Sequence, residues 1–317
     1  MNHSTIVQRI ILAVVMPVTI LILLSGVLIW KSFHDYQNAV QAKSIMEIAV
    51  AAGDLIHPMQ IERGMTAGFI QSNGQKFADT LPGVRAKTDE KLAAYKHRLE
   101  GMNTDSMPDL KKVIEEAHAN LAGVAGTREK ASQLSIAAPE STKYFSGAIN
   151  LLLEVMSTAA EYNSDPAITK KLLIYHAFES AKENAGQERA LAVAVFVNNR
   201  VEHAQYRAIL GRIFKQEAYL DLFIDSATPQ EKKALKSALN SDAAKDVQRM
   251  RDIMAERALE GGFDIDPSLW FARITSKIDG LYEVEQLLTK NINDDTEALL
   301  ATTFAEVPRS AVTASAA

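Results

Sequence analysis

The chain has 317 residues, 47% of them hydrophobic and 23% charged, with no cysteine and a net charge of −5. That length suits one large domain or two modest ones. The lack of cysteine excludes disulfides, thiolate metal sites and cysteine nucleophiles; the acidic balance argues against general nucleic-acid binding but leaves room for one local cationic site.

Residues Ile10 to Trp30 form an uncharged run between Arg9 and Lys31. At about 1.5 Å per residue such a helix spans the roughly 30 Å hydrocarbon core of a bilayer. Trp30 suits an interfacial position, and Pro17 is tolerated within a membrane helix. The rival is a cleaved signal peptide, but the apolar region is long for one and the nearest small-residue site, Val40-Gln41-Ala42, lies well beyond it. The reading is a retained transmembrane anchor over 10–30. One Arg before it and one Lys after it hardly fix its orientation.

From Phe33 onward helix follows helix: Ala, Leu, Glu and Lys dominate and strand alternation is scarce. The first runs from Phe33 to Gln71, continuous with the anchor and bent at Pro58. Ser72-Asn73-Gly74 and Leu81-Pro82-Gly83 break the chain. A second covers Val84 to Leu99, a third Pro108 to Gln133, a fourth Pro139 to Tyr162. Asp165-Pro166, Thr228-Pro229 and Asp266-Pro267 each read as an N-cap followed by Pro at the first helical position, and open helices five, seven and eight. Helix five ends near Val197, and helix six covers Val201 to Ile224. Helix seven runs to Leu259, with a break near Asn240-Ser241-Asp242 and an end at Gly261-Gly262. In helix eight Trp270, Ile274, Ile278, Leu281 and Leu288 keep one apolar stripe. Residues 291–317 lose it and read as a poorly structured tail. The predicted fold is all-α: a transmembrane helix, then eight helices in two antiparallel four-helix bundles, with 31–290 as the helical domain.

One element occurs twice. Gln60-Ile61-Glu62-Arg63-Gly64-Met65-Thr66-Ala67-Gly68 returns, altered, as Gly186-Gln187-Glu188-Arg189-Ala190-Leu191-Ala192. Each copy places one Arg among small and apolar residues. An arginine cannot shed its charge, so it meets a carboxylate, stays at the surface, or waits for an anion. Neighbouring helix residues point about 100° apart, so Glu62 does not neutralise Arg63 by adjacency, nor Glu188 Arg189; each Glu is expected to reach another helix. A surface position or an ordinary ion pair is the plainer reading for a single copy; two copies in equivalent settings favour a shared anion site. A planar, monovalent oxyanion meets guanidinium in a bidentate, charge-assisted arrangement. Chloride lacks the planar fork; acetate and bicarbonate share it.

Other constellations are weaker. Glu115-Glu116-Ala117-His118 holds a Glu-x-x-His, the spacing of di-iron bundles, but has no second copy. His57, His97, His176 and His203 lack ligand spacing, and Arg85 with Asp89 reads as a surface pair. No phosphate loop or nucleophile motif is visible, so an enzyme is not expected, and neither a metal nor a cofactor is assigned.

Gln60-Ile61-Glu62-Arg63-Gly64, Leu81 through Arg85 to Asp89, Lys182-Glu183-Asn184-Ala185-Gly186-Gln187-Glu188-Arg189-Ala190, Gln216 to Phe223, and Trp270-Phe271 through Thr275 to Asp279 together resemble the nitrate- and nitrite-sensing domain family of bacterial membrane receptors. The resemblance spans Ala49 to Leu288. It implies nitrate or nitrite held between helices, with Arg63 and Arg189 as the binding arginines; the small residues of the two copies, Gly64, Ala67, Gly68, Gly186 and Ala190, would let the helices approach closely around the anion. It further implies a chemotaxis receptor or related transducer in the bacterial inner membrane, with residues 1–9 cytoplasmic and the sensor periplasmic. Occupancy would be relayed by helix displacement within a homodimer to a cytoplasmic signalling partner or to a C-terminal output module outside this chain. No nucleic-acid partner is expected. The alternatives are a ligand-free, membrane-anchored helical scaffold and an anion-binding accessory protein without a signalling role.

Overall fold

A computed structural model describes the backbone of residues 3–163 and 165–316, and the side chains at 11, 13–163 and 165–309. Ten helices and no strand occur among them: α1 (His3–Gln71), α2 (Leu81–Glu100), α3 (Pro108–Leu121), α4 (Val124–Ser132), α5 (Ala138–Glu161), α6 (Pro166–Val197), α7 (His203–Ser226), α8 (Pro229–Leu239), α9 (Asp242–Glu256) and α10 (Pro267–Ala316). The eight expected rods become ten helices because two of them are interrupted. The break between α8 and α9 falls at the expected Asn240-Ser241, where Ser241 accepts from the Ala244 amide. The break between α3 and α4 was not expected. It is filled by Tyr144 of α5, whose hydroxyl donates to the Asn120 carbonyl at 2.6 Å and would lie 3.2 Å from a Cβ on Gly123.

The capping signals work as local chemistry dictates. Asp165 accepts from the amides of Ala167 and Ile168, and Thr228 forms a capping box with Glu231. The apolar stripe of α1 (Ile45, Ile48, Ala49, Ala52, Leu55, Ile56, Met59) faces α5, α6 and α10 in a first core with Phe145, Leu152, Leu172, Phe178 and Leu281. A second core joins α6, α7, α9 and α10 through Val195, Ile209, Val247, Met254, Trp270 and Ile274. Trp270 is fully buried, and burial of a large side chain contributes roughly 1.5–3 kcal/mol. The long helices α6 and α10 serve both cores, which places their middle turns at the junction of the two bundles.

The reading of 291–317 as a poorly structured tail does not match the structure. Helix α10 continues to Ala316, with Pro308 inside it. It runs antiparallel to α1 from Tyr282, stacked on His57, and the extension continues along α1: Lys43 meets Glu297 at 2.6 Å, and the Tyr36 and Phe304 rings sit 5.6 Å apart. Only one side of the extension is covered, so Ile292 and Thr296 are buried without a repeating stripe to announce them. The apolar beginning of α1 is exposed, Ile22 at 65% and Leu23 at 64%. It is long and apolar enough to cross a membrane, a test that a signal sequence near the N-terminus also passes.

Candidate functional site

The two Glu-Arg elements meet where α1 crosses α6. Both glutamates reach other helices. Glu62 accepts from Arg128 of α4 at 2.7 and 2.9 Å, and Glu188 from Arg251 of α9 at 2.7 and 2.6 Å. Arg128 also binds Asp89 at 2.6 Å, drawing into this network the acid that had been paired with Arg85. Each glutamate is thus held by an arginine within its own half of the molecule, leaving Arg63 and Arg189 to face the opposite half.

They face it reciprocally. Arg63 Nη2 lies 2.8 Å from where a Cβ on Gly186 would stand, and Arg189 Nη2 3.0 Å from where a Cβ on Gly64 would. Each guanidinium occupies the space left by a glycine of the other copy, Gly186 for Arg63 and Gly64 for Arg189. The bare face of Gly68 is taken instead by the Phe77 ring, 2.6 Å from a Cβ position. Ala67 is half-buried a turn beyond Arg63, and Ala190 is exposed. One residue past Arg189 turns about 100° around the helix, which carries Ala190 out of the site.

The two arginines differ in their partners. Arg63 is 3% exposed; its fork donates to both oxygens of Glu183 at 2.5 and 3.1 Å, and Nη1 also donates to Ser146 at 2.8 Å. Arg189 is 8% exposed, donates to Thr275 at 2.9 Å and lies 4.8 Å from the centre of the Phe271 ring. Among the described residues it forms no ion pair with a carboxylate. Asp279 attracts it from beyond ion-pair distance, but burial, and then the Arg63 charge, push it down to about 10. It therefore remains charged at neutral pH. Trp270 pins this turn of α6 by donating to the Arg189 carbonyl at 3.2 Å. Glu183, Ser146, Phe271 and Thr275 were not singled out as site residues from sequence. Glu183, Phe271 and Thr275 stood within the quoted resemblance, but nothing local tied them to an arginine on another helix.

Behind Glu188 lies a second buried charge. Lys277 donates to Gln216 at 3.3 Å, and burial followed by Arg251 pushes it down to about 8, against the pull of Glu188 and Glu217. An unfolded lysine titrates near 10.5, so above pH 8 the unfolded chain holds a proton that the folded chain has shed. Stability against urea is expected to rise over that window. Lys277→Met should remove the rise and stabilise the chain at pH 7 by on the order of 1–2 kcal/mol. A parent profile that stays flat above pH 8 would count against this assignment.

Comparison with known proteins bears on the same region. The family described as nitrate and nitrite sensing matches residues 54–293. The nitrate regulatory protein of Klebsiella oxytoca is 27% identical over 246 residues, 78% of this chain and 62% of that protein. The chain therefore spans less than two thirds of that relative's length. The structure of the NasR transcription antiterminator matches with a TM-score of 0.77 at 25% identity, over 88% of this chain and 77% of that one.

These relatives correct several expectations. One is named as a regulatory protein and the other as a transcription antiterminator, neither as a chemotaxis receptor or an enzyme. The reading as an inner-membrane chemoreceptor with a periplasmic sensor and a cytoplasmic signalling partner is withdrawn. It rested on the resemblance to receptor sensor domains together with the apolar run at 10–30, which hydropathy alone does not distinguish from other N-terminal segments. The expectation of no nucleic-acid partner falls too, because an antiterminator works at the level of transcription; a net charge of −5 describes the average surface and does not exclude a local contact. With residues 54–293 matched, the chain belongs to the nitrate and nitrite sensing family.

Proposed function

We propose that this chain binds nitrate or nitrite between Arg63 and Arg189 and passes occupancy on as a regulatory signal, without catalysing a reaction. The observation that carries the reading is Arg189: a buried, charged guanidinium without an ion-pair partner among the described residues, facing a second arginine across two glycines. A buried charge is stable only when compensated, and Arg189, attracted by Asp279 and Glu183 only from beyond ion-pair distance, is left with a deficit of negative charge at contact distance. A monovalent oxyanion fills that deficit, and its planar oxygens suit a guanidinium fork. Regulation is the output in line with the names of the two relatives.

The site is placed to be felt elsewhere. Arg63 stands on α1, Arg189 on α6, and Thr275 and Phe271 on α10. An anion drawing the two guanidinium groups together changes how α6 and α10 sit against α1. The coupling available is the difference in affinity between the two arrangements, commonly about 1–3 kcal/mol. Calorimetric titration of the 317-residue chain with nitrate, nitrite, chloride and acetate tests the reading. Saturable heat is expected with nitrate or nitrite, and little with chloride at the same concentration. Equal responses to chloride would mean a general anion site; silence from folded protein would end the proposal.

A further inference from the structure

Glu183 is treated by its surroundings as a ligand. Its carboxylate accepts from the Arg63 fork at 2.5 and 3.1 Å, from Gln187 at 2.6 Å and from Gln60 at 3.1 Å. It is 2% exposed. A planar, monovalent oxyanion held by one guanidinium and two amides is chemically close to a bound nitrate or nitrite. Both terminal nitrogens of Arg63 are engaged with it, so an anion bridging the two arginines finds the Arg63 fork already taken.

Resting on the two-arginine reading above, we infer that Glu183 is a built-in competitor for the anion site: incoming nitrate or nitrite takes the Arg63 fork, and the Glu183 carboxylate swings into the adjoining cleft. That cleft, of about 350 Å³, is lined by Glu183 itself, by Asn184 and Gln187, by the cations Arg212 and Lys215, and by one other acid, Glu154. The displaced carboxylate therefore moves towards cations and water, not into apolar packing. Glu183 and Gln187 are one turn apart on α6, so a side-chain rotation suffices. Such a competitor also selects. Removing a bidentate carboxylate from a fork costs two charge-assisted hydrogen bonds, which a planar oxyanion replaces and a halide does not. The exchange has a structural consequence as well. It opens the ion pair between α1 and α6 beside Lys182, the residue through which α6 holds Glu285 of α10.

The rival account is that Glu183 merely positions Arg63, and it predicts the opposite sign. Nitrate titrations of the parent chain, Glu183→Gln and Glu183→Asp separate the two, each repeated with chloride as competitor. If the carboxylate holds the fork nine-tenths of the time or more, its removal tightens nitrate binding roughly tenfold or more. Glu183→Gln should therefore bind nitrate more tightly and become more sensitive to chloride, with Glu183→Asp between it and the parent. Unchanged or weaker nitrate binding by folded Glu183→Gln overturns the inference. Should that variant fail to fold, Glu183→Asp decides: tighter binding supports the competitor, and unchanged or weaker binding overturns it. Arg189→Gln, run alongside, keeps the two levels apart. If it binds nitrate like the parent, the two-arginine site is wrong and the competitor falls with it. If it loses nitrate while Glu183→Gln gains nothing, the site stands and the competitor alone is wrong.

Discussion

Arg189→Gln should weaken nitrate binding at least about thirtyfold and at the same time make the protein more stable. The two effects share a cause. Arg189 is charged, 8% exposed and supported by Thr275 at 2.9 Å and the Phe271 face at 4.8 Å, without an ion pair among the described residues. Burial and the neighbouring Arg63 both work against its charge, as its depression to about 10 records. The effective penalty for an uncompensated buried ion is several kcal/mol, and a cation–π contact returns about 2 kcal/mol at best. Glutamine keeps a donor for Thr275 and removes the charge, so a gain of about 1–2 kcal/mol, or a few degrees in Tm, is expected. Binding moves the other way. Truncating one partner of a buried, charge-assisted pair costs about 2–5 kcal/mol, which corresponds to at least about thirtyfold in affinity. Thermal melts with and without nitrate read both effects. Nitrate at a hundred times the parent's Kd should stabilise the parent by about 2.7 kcal/mol and the variant by less than about 1 kcal/mol. Loss of stability together with binding would make Arg189 a structural residue, and retained binding would remove it from the site.

What could be read from the sequence was what is decided locally. Asp165, Thr228 and Asp266 announce helix starts because a cap bonds to amides two or three residues away. The stripe from Trp270 to Leu288 announces a core because helical periodicity is a property of the segment itself. Arg63 and Arg189 were legible because the echo around them is a pattern in the chain. The interruption at Gly123 was not, since it depends on Tyr144 arriving from the next helix. Nor was Glu183, whose partner lies 120 positions earlier. Ala190 was assigned by analogy between the copies, and its exposure shows the limit of aligning residues without asking which way the helix turns. The extension of α10 along α1 escaped for a related reason: its support comes from Tyr36 and Lys43, neither of them near in sequence.

A second large effect is expected one residue from the competitor. Lys182→Met should destabilise the chain by about 3–5 kcal/mol at pH 7, and the loss should shrink as the pH falls. Lys182 is wholly buried; its ammonium donates to Glu179 at 3.1 Å and to Glu285, both wholly buried as well, and lies 5.3 Å from the Tyr282 ring. One cation thus serves two carboxylates. His57, stacked on the other side of this junction, adds no charge, because burial and then Lys182 push it down to about 3. Burial raises Glu179 above its ordinary value even with the lysine present. Without the lysine, both glutamates are expected to fold only with a proton. A carboxylate whose folded pKa exceeds its unfolded value binds more protons folded than unfolded, so stability falls as the pH rises through that interval. Urea denaturation of Lys182→Met should accordingly show more stability at pH 5 than at pH 7. Adding Glu285→Gln should restore much of the loss, since only one carboxylate then remains to be compensated and the amide offers it a donor. A variant within about 1 kcal/mol of the parent and indifferent to pH would mean that water reaches this junction. If the expected profile appears, Lys182 fixes α6 to α10 on one side while Glu183 grips α1 on the other, and only the second of these ties is one that an arriving anion can open.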